Sequence, residues 1–139
     1  MDGMTGGCLC GAVRYRISGE PQRRLCCHCR NCQRQSGGPM MAWAVVAEAD
    51  FELLQGEPHW FGSSEVGRRA FCPDCGSALF FRREGRPAIR VVSAGSLDDF
   101  GDYAPEVHIW KERAVSWICL PEETVTGPGP SPPDPGPPG

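Results

Sequence analysis

The sequence predicts a mostly β domain with little helix, and three observations carry that expectation. Apolar and polar residues alternate with a period of two in several short runs, no stretch sustains a helical period, and 18 glycines and 14 prolines punctuate the runs. Val13, Tyr15 and Ile17 alternate with Arg14, Arg16 and Ser18, as along a strand with one buried face. Residues 40–46, 68–71, 78–83, 89–94, 107–110 and 115–118 are further β-favouring runs bounded by Gly, Pro or Ser. Only residues 30–36 and 51–54 suit a helical turn, and the stretch around His59, after Pro58, reads as loop. Between residues 127 and 139 every position is Gly or Pro apart from Ser131 and Asp134. Such a segment has no apolar side chains to bury and too few N–H groups for a hydrogen-bond ladder. The expected organisation is a single domain over residues 1–124 and a disordered, partly polyproline-like tail over 125–139.

A chain of 139 residues supports one hydrophobic core rather than two. The first seven residues, Met1-Asp2-Gly3-Met4-Thr5-Gly6-Gly7, lack the basic start and apolar stretch of a secretory signal, and no apolar run is long enough to span a bilayer. The expectation is a cytoplasmic protein with no membrane partner. In that reducing setting disulfides are rare, so nine cysteines, odd in number and grouped in tight pairs, read as metal ligands. The net charge of −3 weighs against a nucleic-acid partner, and seven thiolates with two divalent ions would move it to −3 − 7 + 4 = −6.

Three cysteine groups carry the chemistry. In Gly7-Cys8-Leu9-Cys10-Gly11 the flanking glycines free the backbone to turn both sulfurs toward one ion. Cys72-Pro73-Asp74-Cys75-Gly76 has zinc-knuckle spacing. A redox dithiol would start a helix at this point, whereas residues 77–81 read as a strand. Structural zinc takes four ligands, so Cys8, Cys10, Cys72 and Cys75 together make one closed site that ties the first strand to a distant hairpin. The third group is Cys26-Cys27-His28-Cys29-Arg30-Asn31-Cys32. In an extended backbone Cys27 and Cys29 face one side and Cys26 and His28 the other, and a turn brings in Cys32. Three thiolates with an open fourth position are the pattern of catalytic zinc, while closure by Cys26 or a histidine would make a second inert site. His28 reads either as a ligand or as a polar group at the mouth of the site, His59 has no evident partner, and the isolated Cys119 reads as a small buried apolar residue.

These motifs resemble one known family. Residues 6–15, 27–37 and 71–77, which include seven of the nine cysteines but not Cys26, are similar to the signatures of the glutathione-dependent formaldehyde-activating enzymes, a family that also includes centromere protein V. Ala94-Gly95-Ser96-Leu97-Asp98 and His108-Ile109-Trp110 look like its later signatures, so the resemblance spans residues 6–118. It implies a β-tent fold, a closed zinc at Cys8, Cys10, Cys72 and Cys75, and a catalytic zinc at Cys27, Cys29 and Cys32. It also implies a carbon–sulfur lyase type of activity, the addition of a small-molecule thiol such as glutathione to formaldehyde or another electrophile.

Three thiolates on one divalent ion leave a net charge of −1, so the reaction would need a cation or N–H donor beside the developing oxyanion. Arg30, Arg34 and Gln33 are the candidates near in sequence, and His108 is the candidate proton shuttle. The alternative role is a non-catalytic zinc-scaffolded binding module, as in the centromere protein V branch. That role would be expected to use a basic extension, and the flanks of this domain carry none.

Overall fold

A computed structural model of the chain describes residues 3–101, 103–120 and 125–127. Strands β1 (Met4–Gly7), β2 (Arg14–Ile17) and β5 (Phe51–Gln55) form a small antiparallel sheet in the order β1-β2-β5. The larger sheet contains β3 (Arg23–Cys27), β4 (Met41–Ala47), β6 (His59–Gly62), β7 (Gly67–Phe71), β8 (Ala78–Arg83), β9 (Ile89–Ser93), β10 (Val107–Ile109) and β11 (Val125–Gly127). Its strand order is β11-β10-β3-β4-β9-β8-β7-β6. It is antiparallel except that β10 runs parallel to both β3 and β11. The one α-helix among the described residues, α1 (Arg30–Ser36), falls at the segment expected for it.

Strand β4, inside the large sheet, is buried on both faces, which explains its nearly unbroken apolar run. Val46 of β4, Phe80 of β8 and Val92 of β9 pack against Tyr15 and Ile17 of the small sheet. Trp43 and Val45 of β4, Phe81 of β8 and Val91 of β9 point the other way, toward Cys27, Cys29 and Cys32. One layer of the core therefore stabilises the fold, and the other forms the floor of a site.

Phe80 is the centre of the first layer. It is fully buried, with Tyr15 and Phe51 edge-on at 5.4 and 5.1 Å and the Arg90 guanidinium 5.2 Å from its ring. Arg90 is itself held by two 2.8 Å hydrogen bonds to Glu48. Removing the ring leaves a void its neighbours cannot close, so Phe80→Ala is expected to cost about 3–5 kcal/mol of stability. A denaturant titration measures this, and a loss below about 1 kcal/mol would mean the layer is more pliable than its packing indicates.

The structure departs from the sequence reading at several elements. Residues 51–54 are strand rather than helical turn. A short 3-10 turn, Glu48–Asp50, precedes them, and β5 pairs with β2, placing Phe51 on Tyr15 with ring centroids 5.5 Å apart. The region of His59 is strand β6, paired with β7. Residues 115–118 form no strand, and Trp117 is 72% exposed. Val125–Gly127 adds a strand beside β10 inside the expected tail, and residues 128–139 of that tail lie outside the described residues. No helix is long and apolar enough to cross a membrane among the described residues.

Candidate metal centres

The first cluster joins two loops. β1 delivers Cys8, whose backbone N–H donates to the Val13 carbonyl at 3.1 Å while its carbonyl accepts from Gly11, which sits in the left-handed region at φ 84. β7 delivers Cys72, whose carbonyl accepts from Gly76 at 2.7 Å, with Gly76 at φ 81. Both turns need that backbone geometry, and glycine adopts it without strain. They bring the four sulfurs of Cys8, Cys10, Cys72 and Cys75 within 4.8 Å of one another. The Cys8–Cys10 and Cys10–Cys72 separations are 3.6 and 3.8 Å. Sulfurs placed 2.3 Å from a central ion in a tetrahedron lie about 3.8 Å apart, so the spacing fits one ion. The loops are also tied directly, because the Ser77 hydroxyl accepts from the Leu9 N–H at 2.9 Å and donates to the Cys75 sulfur. That hydrogen bond, with backbone N–H bonds from Ser77 and Cys10, lowers the Cys75 thiol to about 6.

The second cluster is built on the start of α1. Cys27 ends β3, Cys29 caps the helix with its sulfur accepting from the Cys32 N–H at 3.3 Å, and Cys32 lies on the same helix face. The helix stops at Gly37, which at φ 72 returns its N–H to the Gln33 carbonyl. The three sulfurs are buried and within 4.8 Å of one another. Cys26 lies outside this group, on the opposite side of β3, where burial raises its thiol to about 11.

A buried arginine completes the second cluster, and it is not one of those expected. Arg69 of β7 is 3% exposed and points its Nη1 and Nη2 at the Cys32 sulfur, 3.6 and 3.5 Å away. Its Nη1 also donates to Gln35 at 2.7 Å and its Nε to Ser63 at 3.1 Å. The guanidinium lies 5.8 Å from the Trp43 ring centre and 5.2 Å from that of Phe81. The Trp43 indole N–H adds a 3.4 Å hydrogen bond to the same sulfur. Hydrogen bonds from Cys27 and Cys29, with the Arg69 charge and the Trp43 N–H, hold the Cys32 thiol well below its ordinary value despite burial.

Arg30, Arg34 and His108 are not brought to this cluster. Arg30 and Gln33 occupy a neighbouring helix face, where Arg30 donates to Gln33 at 2.8 Å and Gln33 binds the Pro39 and Arg113 carbonyls. Arg34 lies with Arg30 and Trp117 along a separate surface depression. Strand alternation turns His108 away from its neighbour Ile109, which faces the cluster. His108 is buried opposite Cys26 and shares a 2.8 Å hydrogen bond with His28, so the two histidines form an interior pair. Desolvation, with the partner or nearby Lys111 adding to it, lowers both below the ordinary histidine value. His59 is exposed beside Phe71, and Cys119 is exposed rather than buried.

Two spaces adjoin the second cluster. A cavity of about 60 Å3 lies against Cys27, Cys29 and Cys32, walled by Leu25, Trp43, Val45, Phe81, Val91, Ile109 and Trp110, with Arg69 its charged residue. A wider groove of about 740 Å3 runs past Arg14, Gln35, Ser36, Ser77, Ser96 and Asp98. Gln35 belongs to both neighbourhoods, since it lines the groove and receives the Arg69 hydrogen bond.

Comparison with known proteins converges on one family. A profile described as glutathione-dependent formaldehyde-activating enzyme matches residues 3–113. A Halomonas elongata protein that carries this same description as a provisional name is 31% identical over 124 residues, covering 83% of this chain and 79% of that one. A Schizosaccharomyces pombe protein described as an uncharacterized lyase is 30% identical over 76 residues, 55% of either chain. A Rhodobacter sphaeroides protein of known crystal structure shares the fold, with a TM-score of 0.54 at 24% identity over 69% of this chain and 89% of that one.

Proposed function

Because the chain belongs to the glutathione-dependent formaldehyde-activating enzyme family, we propose that it is a zinc enzyme of the carbon–sulfur lyase type. It joins a thiol, glutathione or a similar one, to formaldehyde or another small aldehyde. The observation that carries this reading is the placement of Cys27, Cys29, Cys32 and Arg69 against an apolar cavity. Both clusters offer only sulfur, in sets of four and three, and zinc is the redox-inert ion that such donors favour. The reducing cytoplasm would keep these thiols available, and all the described cysteines are free.

Held by Cys27, Cys29 and Cys32, zinc would supply a Lewis acid able to polarise a carbonyl oxygen or to stabilise a thiolate. The protein's own part falls chiefly to Arg69. Its positive charge offsets the net −1 of three thiolates around a divalent ion. Its five N–H bonds are almost fully used, with Nε on Ser63, Nη1 on Gln35 and both Nη atoms on Cys32. One Nη2–H remains to meet the oxygen on which charge develops. The apolar walls exclude water, which would otherwise hydrate the carbonyl. The polar groove has the size of a ligand cleft and would hold the body of the thiol, with Gln35 between the two. In the sum the S–H bond and the C=O π bond break, a C–S bond forms at the carbonyl carbon and the thiol proton ends on oxygen as a hydroxyl, with no change of oxidation state. A scaffolding role would give no reason for the buried arginine or the cavity.

The test is the rate at which thiol and aldehyde combine with zinc-loaded protein, compared with buffer alone. An acceleration of about 100-fold or more is expected. Protein holding two metal ions that accelerates no thiol–aldehyde pair would refute the reading. Arg69→Lys keeps a charge but loses the fork, so kcat/KM is expected to fall about 10- to 100-fold with metal content unchanged. Equal activity in that variant would remove Arg69 from the mechanism.

A further inference from the structure

Resting on that thiol-addition reading, we infer that Gln35 selects the thiol, its side-chain amide donating a hydrogen bond to a neutral carbonyl oxygen carried near the sulfur, as on a cysteinyl thiol. The orientation of this amide is fixed chemically. Arg69 Nη1 lies 2.7 Å from one end of it, and a guanidinium can only donate, so that end is the carbonyl oxygen. The NH2 group is left with no partner among the described residues. Gln33, two positions earlier, shows the contrast. Its carbonyl accepts from Arg30, and its NH2 group is shared by the Pro39 and Arg113 carbonyls.

Elimination along the groove leads to the same group. Gln35 lines the groove together with four serines, and each of their hydroxyls already donates within the protein. Ser36 donates to the Met40 carbonyl, Ser77 to the Cys75 sulfur, Ser93 to the Ala78 carbonyl and Ser96 to the Ser93 carbonyl. Arg14, the one cation among the described residues of this lining, closes both Nη atoms on Asp98. A groove whose charge is neutralised and whose hydroxyls are engaged recognises a thiol through the donor that is left, and that donor suits a neutral oxygen acceptor. Gln35 is also well placed. Arg69 Nη1 touches both the Gln35 carbonyl and, 3.6 Å away, the Cys32 sulfur. The amide thus stands beside the first few atoms of a thiol whose sulfur sits at the cluster.

The experiment compares methyl 3-mercaptopropanoate, whose carbonyl has the same spacing from sulfur as in a cysteinyl thiol, with 1-pentanethiol, a chain of equal length without it. Each reacts with formaldehyde on the full zinc-loaded chain, and the uncatalysed rate is subtracted. Gln35→Met removes the donor, and Gln35→Glu removes it while still accepting from Arg69. Either variant is expected to lower the ratio of the two kcat/KM values, ester over alkane thiol, about three- to tenfold. The ratio does not depend on the fraction of a variant that folds. If Gln35 served only to hold Arg69, both thiols would slow together and the ratio would not move. A ratio that neither variant lowers by at least about threefold overturns the inference while leaving thiol addition standing. Acceleration of neither thiol by the unmodified protein overturns both.

Discussion

Cys72→Ser is expected to abolish the cooperative unfolding transition of the domain. Cys72 is fully buried and belongs to the same core layer as Tyr15, Leu79 and Phe80, while its sulfur lies 3.8 Å from that of Cys10, a residue 62 positions away. The cluster is thus a cross-link between the small sheet and the β7–β8 hairpin. A structural zinc contributes about 10–16 kcal/mol to folding, which is as large as the whole stability of an ordinary domain at about 5–15 kcal/mol. Serine offers a neutral hydroxyl in place of a thiolate, so the ion is lost or held by three ligands, and a polar group is left inside the core. Circular dichroism during heating, with metal analysis of the purified variant, measures the outcome. A sharp transition within a few degrees of the unmodified protein would show that the four sulfurs are not what holds the two sheets together.

The features set by neighbours in sequence were legible in advance. Helix α1 and the three-cysteine group arise from a cap, a turn and a spacing of three, all contained in residues 27–37, and the four-cysteine group follows from ligand arithmetic on two short motifs. The features set by strand pairing were not. β5 has an exposed, non-alternating pattern, and only its ladder with β2 makes it a strand. β3 hides its period because Cys26 and Cys27 are buried on opposite faces. Arg69 is the largest omission. It lies 37 positions from the sulfur it serves, inside the β-favouring run 68–71, and only the position of β7 across the sheet turns it inward. The same dependence on pairing turned His108 away from the site, because its register opposite Cys26 fixes which side of the sheet it occupies.

Cys29→Ser should separate folding from catalysis by the same chemical change. Cys29 is the N-cap of α1, with extended backbone at φ −66 and ψ 157, and its side chain accepts the Cys32 N–H. Serine is among the best residues for that position, so the variant keeps the cap and the helix. The four-cysteine cluster is untouched, and the melting temperature is expected to move by only a few degrees. An ion held by Cys27, Cys29 and Cys32, in contrast, would lose one of three sulfur ligands without replacement, since Cys26 is turned to the far side of β3. Metal content is therefore expected to fall from two ions to one. In the proposed reaction a metal Lewis acid at this site would supply several kcal/mol, so its removal corresponds to a loss of about 1,000-fold in rate. Paired metal analysis, thermal melting and thiol–aldehyde kinetics on this one variant decide the matter. A folded protein with a single metal and undiminished activity would move the chemistry away from Cys27, Cys29 and Cys32.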